Sequence, residues 1–90
     1  MADIVYLNGD FIEKSQAKIS VLDRGFLFGD GIYEVIPVYH SSPFQLEQHL
    51  QRLFDNAKNI QIDVSLIKID WSDIIEDVIS KNGGGNLLLY

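Results

Sequence analysis

The stretch Asp23-Arg24-Gly25-Phe26-Leu27-Phe28-Gly29-Asp30-Gly31-Ile32-Tyr33-Glu34 interleaves three glycines and several charges with bulky rings, then runs into the apolar segment Val35 to Tyr39. Glycine tolerates positive φ and close backbone approach, so positions 25, 29 and 31 read as a shaped backbone and not as an ordinary surface loop. Charges beside Phe26, Phe28 and Tyr33 need partners to hold them there. A binding site is the economical explanation.

Working outward toward the N-terminus, Ile4-Val5-Tyr6-Leu7 and Phe11-Ile12-Glu13-Lys14 flank Asn8-Gly9-Asp10. Asn-Gly between β-prone runs predicts a hairpin, because both residues tolerate positive φ. Ser15 to Ser20 reads as a loop or short edge strand, and Asp23-Arg24-Gly25 as a turn. Toward the C-terminus, Ile32 to Tyr39 reads as a strand in which Pro37 removes one ladder donor or faces an edge or bulge. His40 to Pro43 follows as a turn. Leu46, Leu50, Leu53, Phe54, Ala57 and Ile60 then recur at helical spacing, which predicts an amphipathic helix over about Leu46 to Asn59. At about 100° per residue, His49 borders that stripe and Arg52 lies further round. Trp71, Ile74, Ile75, Val78 and Ile79 mark a second helix, with Asp70 as its N-cap and Gly83 just past its end. Gly83 to Asn86 is a connector, and Leu87 to Tyr90 a terminal strand with an edge to satisfy.

Ninety residues make one domain with an ordinary globular share of hydrophobic (47%) and charged (22%) residues. Cysteine is absent, which removes disulfides, thiolate metal sites and thiol nucleophiles together. The first residues lack a basic segment followed by an apolar one, and no apolar run approaches the ~20 residues that span a bilayer. A soluble, cytoplasmic protein with no membrane partner and no metal is therefore expected. The net charge of −6, with seven scattered basic residues, argues against a nucleic-acid partner.

The string Asp23 to Ile36, followed by His49-Leu50-Gln51-Arg52-Leu53, resembles the N-terminal domain of the fold-type IV (class IV) pyridoxal-phosphate aminotransferases. That family holds D-amino-acid transaminases, branched-chain aminotransferases and aminodeoxychorismate lyases. The likeness starts near Ile4 and stays in register to about Ile62. It implies an α+β small domain, an antiparallel sheet with two helices packed on it. It also implies pyridoxal 5′-phosphate as cofactor, an amino acid and a 2-oxo acid as substrates, and a homodimer. None of Lys14, Lys18, Lys58, Lys68 and Lys81 matches the family's Schiff-base lysine, so residues 1–90 are expected to be the N-terminal part of a longer protein, inactive alone, with that lysine beyond Tyr90.

Residue by residue, Arg52 matches the family's phosphate-binding arginine; periodicity alone would favour a solvated arginine pairing with Asp55 or Glu47. His49 matches a position close to that site, or serves as a satisfied structural histidine. Tyr33 matches an aromatic position of the substrate pocket, and Phe28 and Val35 resemble pocket-wall positions. Glu34 matches a family carboxylate, structural or paired with Arg24. Tyr33-Glu34-Val35-Ile36-Pro37 favours the D-amino-acid transaminase branch over branched-chain aminotransferases, which commonly read Phe-Glu-Gly-Ile-Arg there, and over the lyases. A stand-alone, non-catalytic interaction domain binding through Leu87 to Tyr90 is the alternative of another class.

Overall fold

A computed structural model describes residues 3–63 and 70–90; Lys68 lies outside them. The N-terminal hairpin forms where the sequence placed it. Strand β1 (Ile4–Leu7) pairs antiparallel with β2 (Asp10–Glu13), from Ile4 opposite Glu13 to Leu7 opposite Asp10. Asn8 (φ 51°) and Gly9 (φ 96°) both take positive φ, the backbone a two-residue hairpin turn requires. Tyr6 and Phe11, directly opposite, meet edge to face at 5.2 Å. A short 3-10 turn over Lys14–Gln16 then ends the hairpin.

The expected turn at Asp23-Arg24-Gly25 is the start of a helix, α1 (Arg24–Phe28). The Asp23 carboxylate accepts from Gly25 N at 2.8 Å, and Gly29, left-handed at φ 70°, closes the helix five residues later. Among the three glycines only Gly29 uses positive φ; Gly25 sits close to the Asp23 carboxylate, where a Cβ would come within 2.9 Å, and Gly31 faces open space.

Strand β3 covers Ile36–Tyr39, shorter than the Ile32 to Tyr39 expected. Its ladder partner β5 (Leu87–Leu89) has three residues, so the pairing runs only from Ile36 opposite Leu89 to Val38 opposite Leu87. Strand-like alternation still continues upstream: Ile32, Glu34, Ile36 and Val38 turn inward while Tyr33 and Val35 stay exposed. The two-residue β4 (Ser42–Pro43) lies on the other side of β3, giving the antiparallel order β4-β3-β5. The Pro37 carbonyl accepts from Phe44 N at 2.8 Å on the β4 side. A strand residue's N and C=O point the same way, so the missing proline donor faces the end of β4 and costs the β5 ladder nothing. The turn residues His40 (φ 50°) and Ser41 (φ 65°) are held from outside. Asn86 Oδ1 accepts from His40 N at 2.9 Å, Ser41 N donates to the Gly85 carbonyl at 2.8 Å, and Gly85 N donates to Ser41 Oγ at 2.8 Å. These bonds set where β5 begins.

Helix α2 spans Leu46–Asn59 and α3 spans Trp71–Lys81. Asp70 caps α3 by accepting from Asp73 N, and Gly83 N and Gly84 N bond back to the Ser80 and Ile79 carbonyls, a Schellman ending. Ile60 falls just outside α2 and is half exposed, so it leaves the apolar stripe it was expected to extend. Ile36, Val38, Ile75 and Ile79 form the buried core, with Leu46, Leu50, Leu87 and Leu89 packed around it. Thus α2 and α3 cover one face of the three-stranded sheet, as an α+β domain of antiparallel strands requires. Asn82 joins the hairpin to this body by accepting from Ile4 N at 2.8 Å and donating to the Ile4 carbonyl at 2.9 Å.

Candidate functional site

The inward turn of Glu34, two residues ahead of β3, brings its carboxylate against α2. His49 and Arg52 stand three residues apart on that helix, so both reach the same side. Arg52 Nε donates to Glu34 Oε2 at 2.9 Å and Nη2 donates to Oε1 at 2.7 Å. His49 Nδ1 also lies 2.7 Å from Oε1. The Glu34 side chain is 9% exposed, against 17% for His49 and 63% for Arg52. Hydrogen bonds from Arg52, then from His49, pull the Glu34 carboxyl down to about 2 against the opposing effect of burial. The same contact raises the Arg52 pKa further above its ordinary value. An ionised carboxylate can only accept, so His49 Nδ1 carries the proton in this bond.

Glu34 is therefore the partner of Arg52 and His49. Arg24, the partner considered from sequence, instead donates from Nε to Asp30 at 2.7 Å and lies over the Phe28 ring at 4.5 Å. The ends of the short helix α1 explain this. Capping by Asp23 and the left-handed Gly29 bring Asp30 back toward Arg24, and Asp30 N bonds to the Arg24 carbonyl. Asp55, offered as a partner for Arg52, accepts from Gln51 instead.

The remaining predicted residues are not gathered into that cluster. Tyr33 and Val35 lie on the outer side of the 31–35 segment, and Tyr33 stacks on Tyr90 at 5.7 Å. Phe28 is exposed and its ring contact is with Arg24. Sequence reasoning did not pair Arg24 with Asp30 or Tyr33 with Tyr90; the first depends on the closed end of α1 and the second on the β3–β5 register, which sets Tyr90 one step past the Ile36–Leu89 pair.

Arg52 uses its Nε/Nη2 edge on Glu34, and among the described residues nothing takes its Nη1/Nη2 edge; a guanidinium fork of this kind suits a phosphate bidentately. A second space, an open cleft of about 520 Å³, is lined by Asp23, Arg24, Asp30 and the segment 60–62. Two carboxylates against one already paired arginine make it a poor phosphate site. The Arg52 edge is the better fit.

Comparison with known proteins gives the family. The description "Amino-transferase class IV" applies to the family whose profile matches residues 31–90, a span that contains Tyr33, Glu34, His49 and Arg52. The chain belongs to the class IV aminotransferase family. It is 36% identical over 86 residues to a D-alanine aminotransferase of Staphylococcus haemolyticus, covering 96% of this chain and 30% of that protein. It is 44% identical over 78 residues to the D-alanine aminotransferase of Staphylococcus aureus, 87% of this chain and 28% of that one. A "Putative branched-chain-amino-acid aminotransferase" of Methanocaldococcus jannaschii is 41% identical over 78 residues, 87% of this chain and 27% of that protein. The chain thus spans less than a third of the length of the curated relatives it matches.

Proposed function

We propose that these 90 residues are the N-terminal domain of a pyridoxal 5′-phosphate-dependent aminotransferase that exchanges an amino group between a D-amino acid, such as D-alanine, and a 2-oxo acid. The observation that carries the reading is the fork of Arg52, anchored on Glu34 and open on its other edge, inside the span matched to the family. Arg52 would hold the cofactor phosphate. Glu34 and His49 would support it from the inner side of the 31–35 segment. When bound, the cofactor supplies an electron sink for the charge that develops at the substrate Cα.

On the outer side, Tyr33 offers a phenol from an apolar wall, able to donate one directed hydrogen bond to a substrate carboxylate, with Val35 beside it and Phe28 as a further wall residue. Arg24 supports Phe28 through its ring contact. The lysine that carries the cofactor would lie in the remainder of the longer protein. The exposed apolar residues of the outer side suit a domain that works covered, by that remainder and by a second subunit.

Amino transfer by the full-length protein tests this reading. Pyruvate should form from D-alanine with 2-oxoglutarate, and not from L-alanine. Turnover restricted to L-leucine, L-isoleucine and L-valine would move the assignment to the branched-chain branch, which the relative from Methanocaldococcus jannaschii represents. No amino transfer with either set would remove the enzyme reading.

A further inference from the structure

We infer that Glu34 is a positioning residue that aims the free edge of Arg52 at a phosphate group; this rests on the cofactor reading above. Arg52 is a long side chain on an exposed helix face, and its two hydrogen bonds to Glu34 are what fix the guanidinium plane among the described residues. A side-on, two-bond contact fixes rotation as well as position, and leaves Nη1 and the second Nη2 hydrogen facing away from the carboxylate. Glu34 is itself held. Its side chain is nine-tenths buried, and Oε1 is shared with His49 Nδ1, one helical turn before Arg52. The carboxylate and the imidazole thus act as two struts behind one fork.

A carboxylate beside an anion site has two opposed effects. It repels the incoming phosphate, and it removes the cost of ordering the arginine when the phosphate arrives. If repulsion governed, neutralising Glu34 would strengthen phosphate binding. With a side-on pair already formed, the positive charge facing the phosphate is carried by the far edge of the same delocalised cation, so ordering governs. The expected loss on removing Glu34 is about three- to tenfold, the cost of immobilising one long side chain.

The test uses the full-length protein and two probes, pyridoxal and pyridoxal 5′-phosphate; the pyridoxal Kd divided by the pyridoxal 5′-phosphate Kd is the ratio that isolates the phosphate's contribution. Glu34→Ala should reduce that ratio about three- to tenfold with the pyridoxal Kd unchanged, and Glu34→Gln, which keeps one acceptor oxygen, should reduce it less. In the cofactor-free wild type, 15N NMR should resolve separate Arg52 Nη signals that merge in Glu34→Ala. A ratio that is unchanged or larger in either variant overturns the positioning role. Should Glu34→Ala fail to fold by circular dichroism, Glu34→Gln and the wild-type spectrum decide, and merged Nη signals in the wild type count against the proposal. Arg52→Ala in parallel separates the two layers: an unchanged ratio there removes the phosphate reading itself, whereas a reduced ratio there with no change in the Glu34 variants removes only the positioning.

Discussion

A carboxylate that accepts three hydrogen bonds from an arginine and a histidine stays ionised far into acid, and Glu34 is that group here. Its carboxyl titrates near 2 in the folded chain against an ordinary 4.5, the depressed case. The stability it contributes is therefore fully present above about pH 4.5 and is lost as pH falls toward 2 and below. Thermal midpoints of the wild type and Glu34→Gln should differ by a constant amount above pH 5 and converge toward pH 2, where the native carboxyl becomes neutral like the amide. A gap that ignores pH over that interval would contradict the assigned partners. In the sequence, Arg52 and Glu34 stood out as separate candidates, and their pairing did not. Which arginine meets Glu34 depends on how α2 lies against the 31–35 segment, and no local pattern encodes that.

At the level of elements, what local chemistry controls was legible and what partner length controls was not. Asn8-Gly9 announced the first hairpin and Asp70 the start of α3, because each acts within a few residues. Helix α1 escaped notice since five residues are too few for a periodic stripe, and Asp23 reads equally as a turn former. The shortening of β3 follows from the three residues of β5, about fifty positions away in sequence. Gly29→Ala should lower stability by about 1 kcal/mol, since φ 70° penalises a Cβ although no atom lies within 4 Å of it. Gly31→Ala, in open space and without positive φ, should leave the melting temperature within a degree or so of wild type. Equal effects of the two substitutions would argue against a left-handed end to α1.

For the molecule as a whole, the sheet is covered on one side by α2 and α3 and carries exposed apolar residues on the other. Leu88 is 75% exposed, Tyr90 87% and Tyr33 67%. Strand β5 pairs with β3, so the exposed apolar face, more than an unpaired terminal strand, is the source of stickiness. The 90-residue chain should self-associate at micromolar concentration, and light scattering should read a mass above 10.2 kDa. The −6 charge opposes this, but its repulsion is screened within about 8 Å at physiological salt, and a monodisperse monomer would show that charge wins. No helix among the described residues is long and apolar enough to cross a membrane. The family was legible because the likeness runs in register from about Ile4 to Ile62, and the α+β class came with it, whereas the outer face emerged only once the alternation through Tyr33 and Val35 was seen in three dimensions. Titrating the full-length protein and its Arg52→Ala variant with pyridoxal 5′-phosphate measures whether Arg52 holds the cofactor's phosphate. The Kd should rise about ten- to a hundredfold, with Arg52→Lys in between, since a lone ammonium replaces a fork. An unchanged Kd in the alanine variant would contradict the claim and return Arg52 to a solvated helix face.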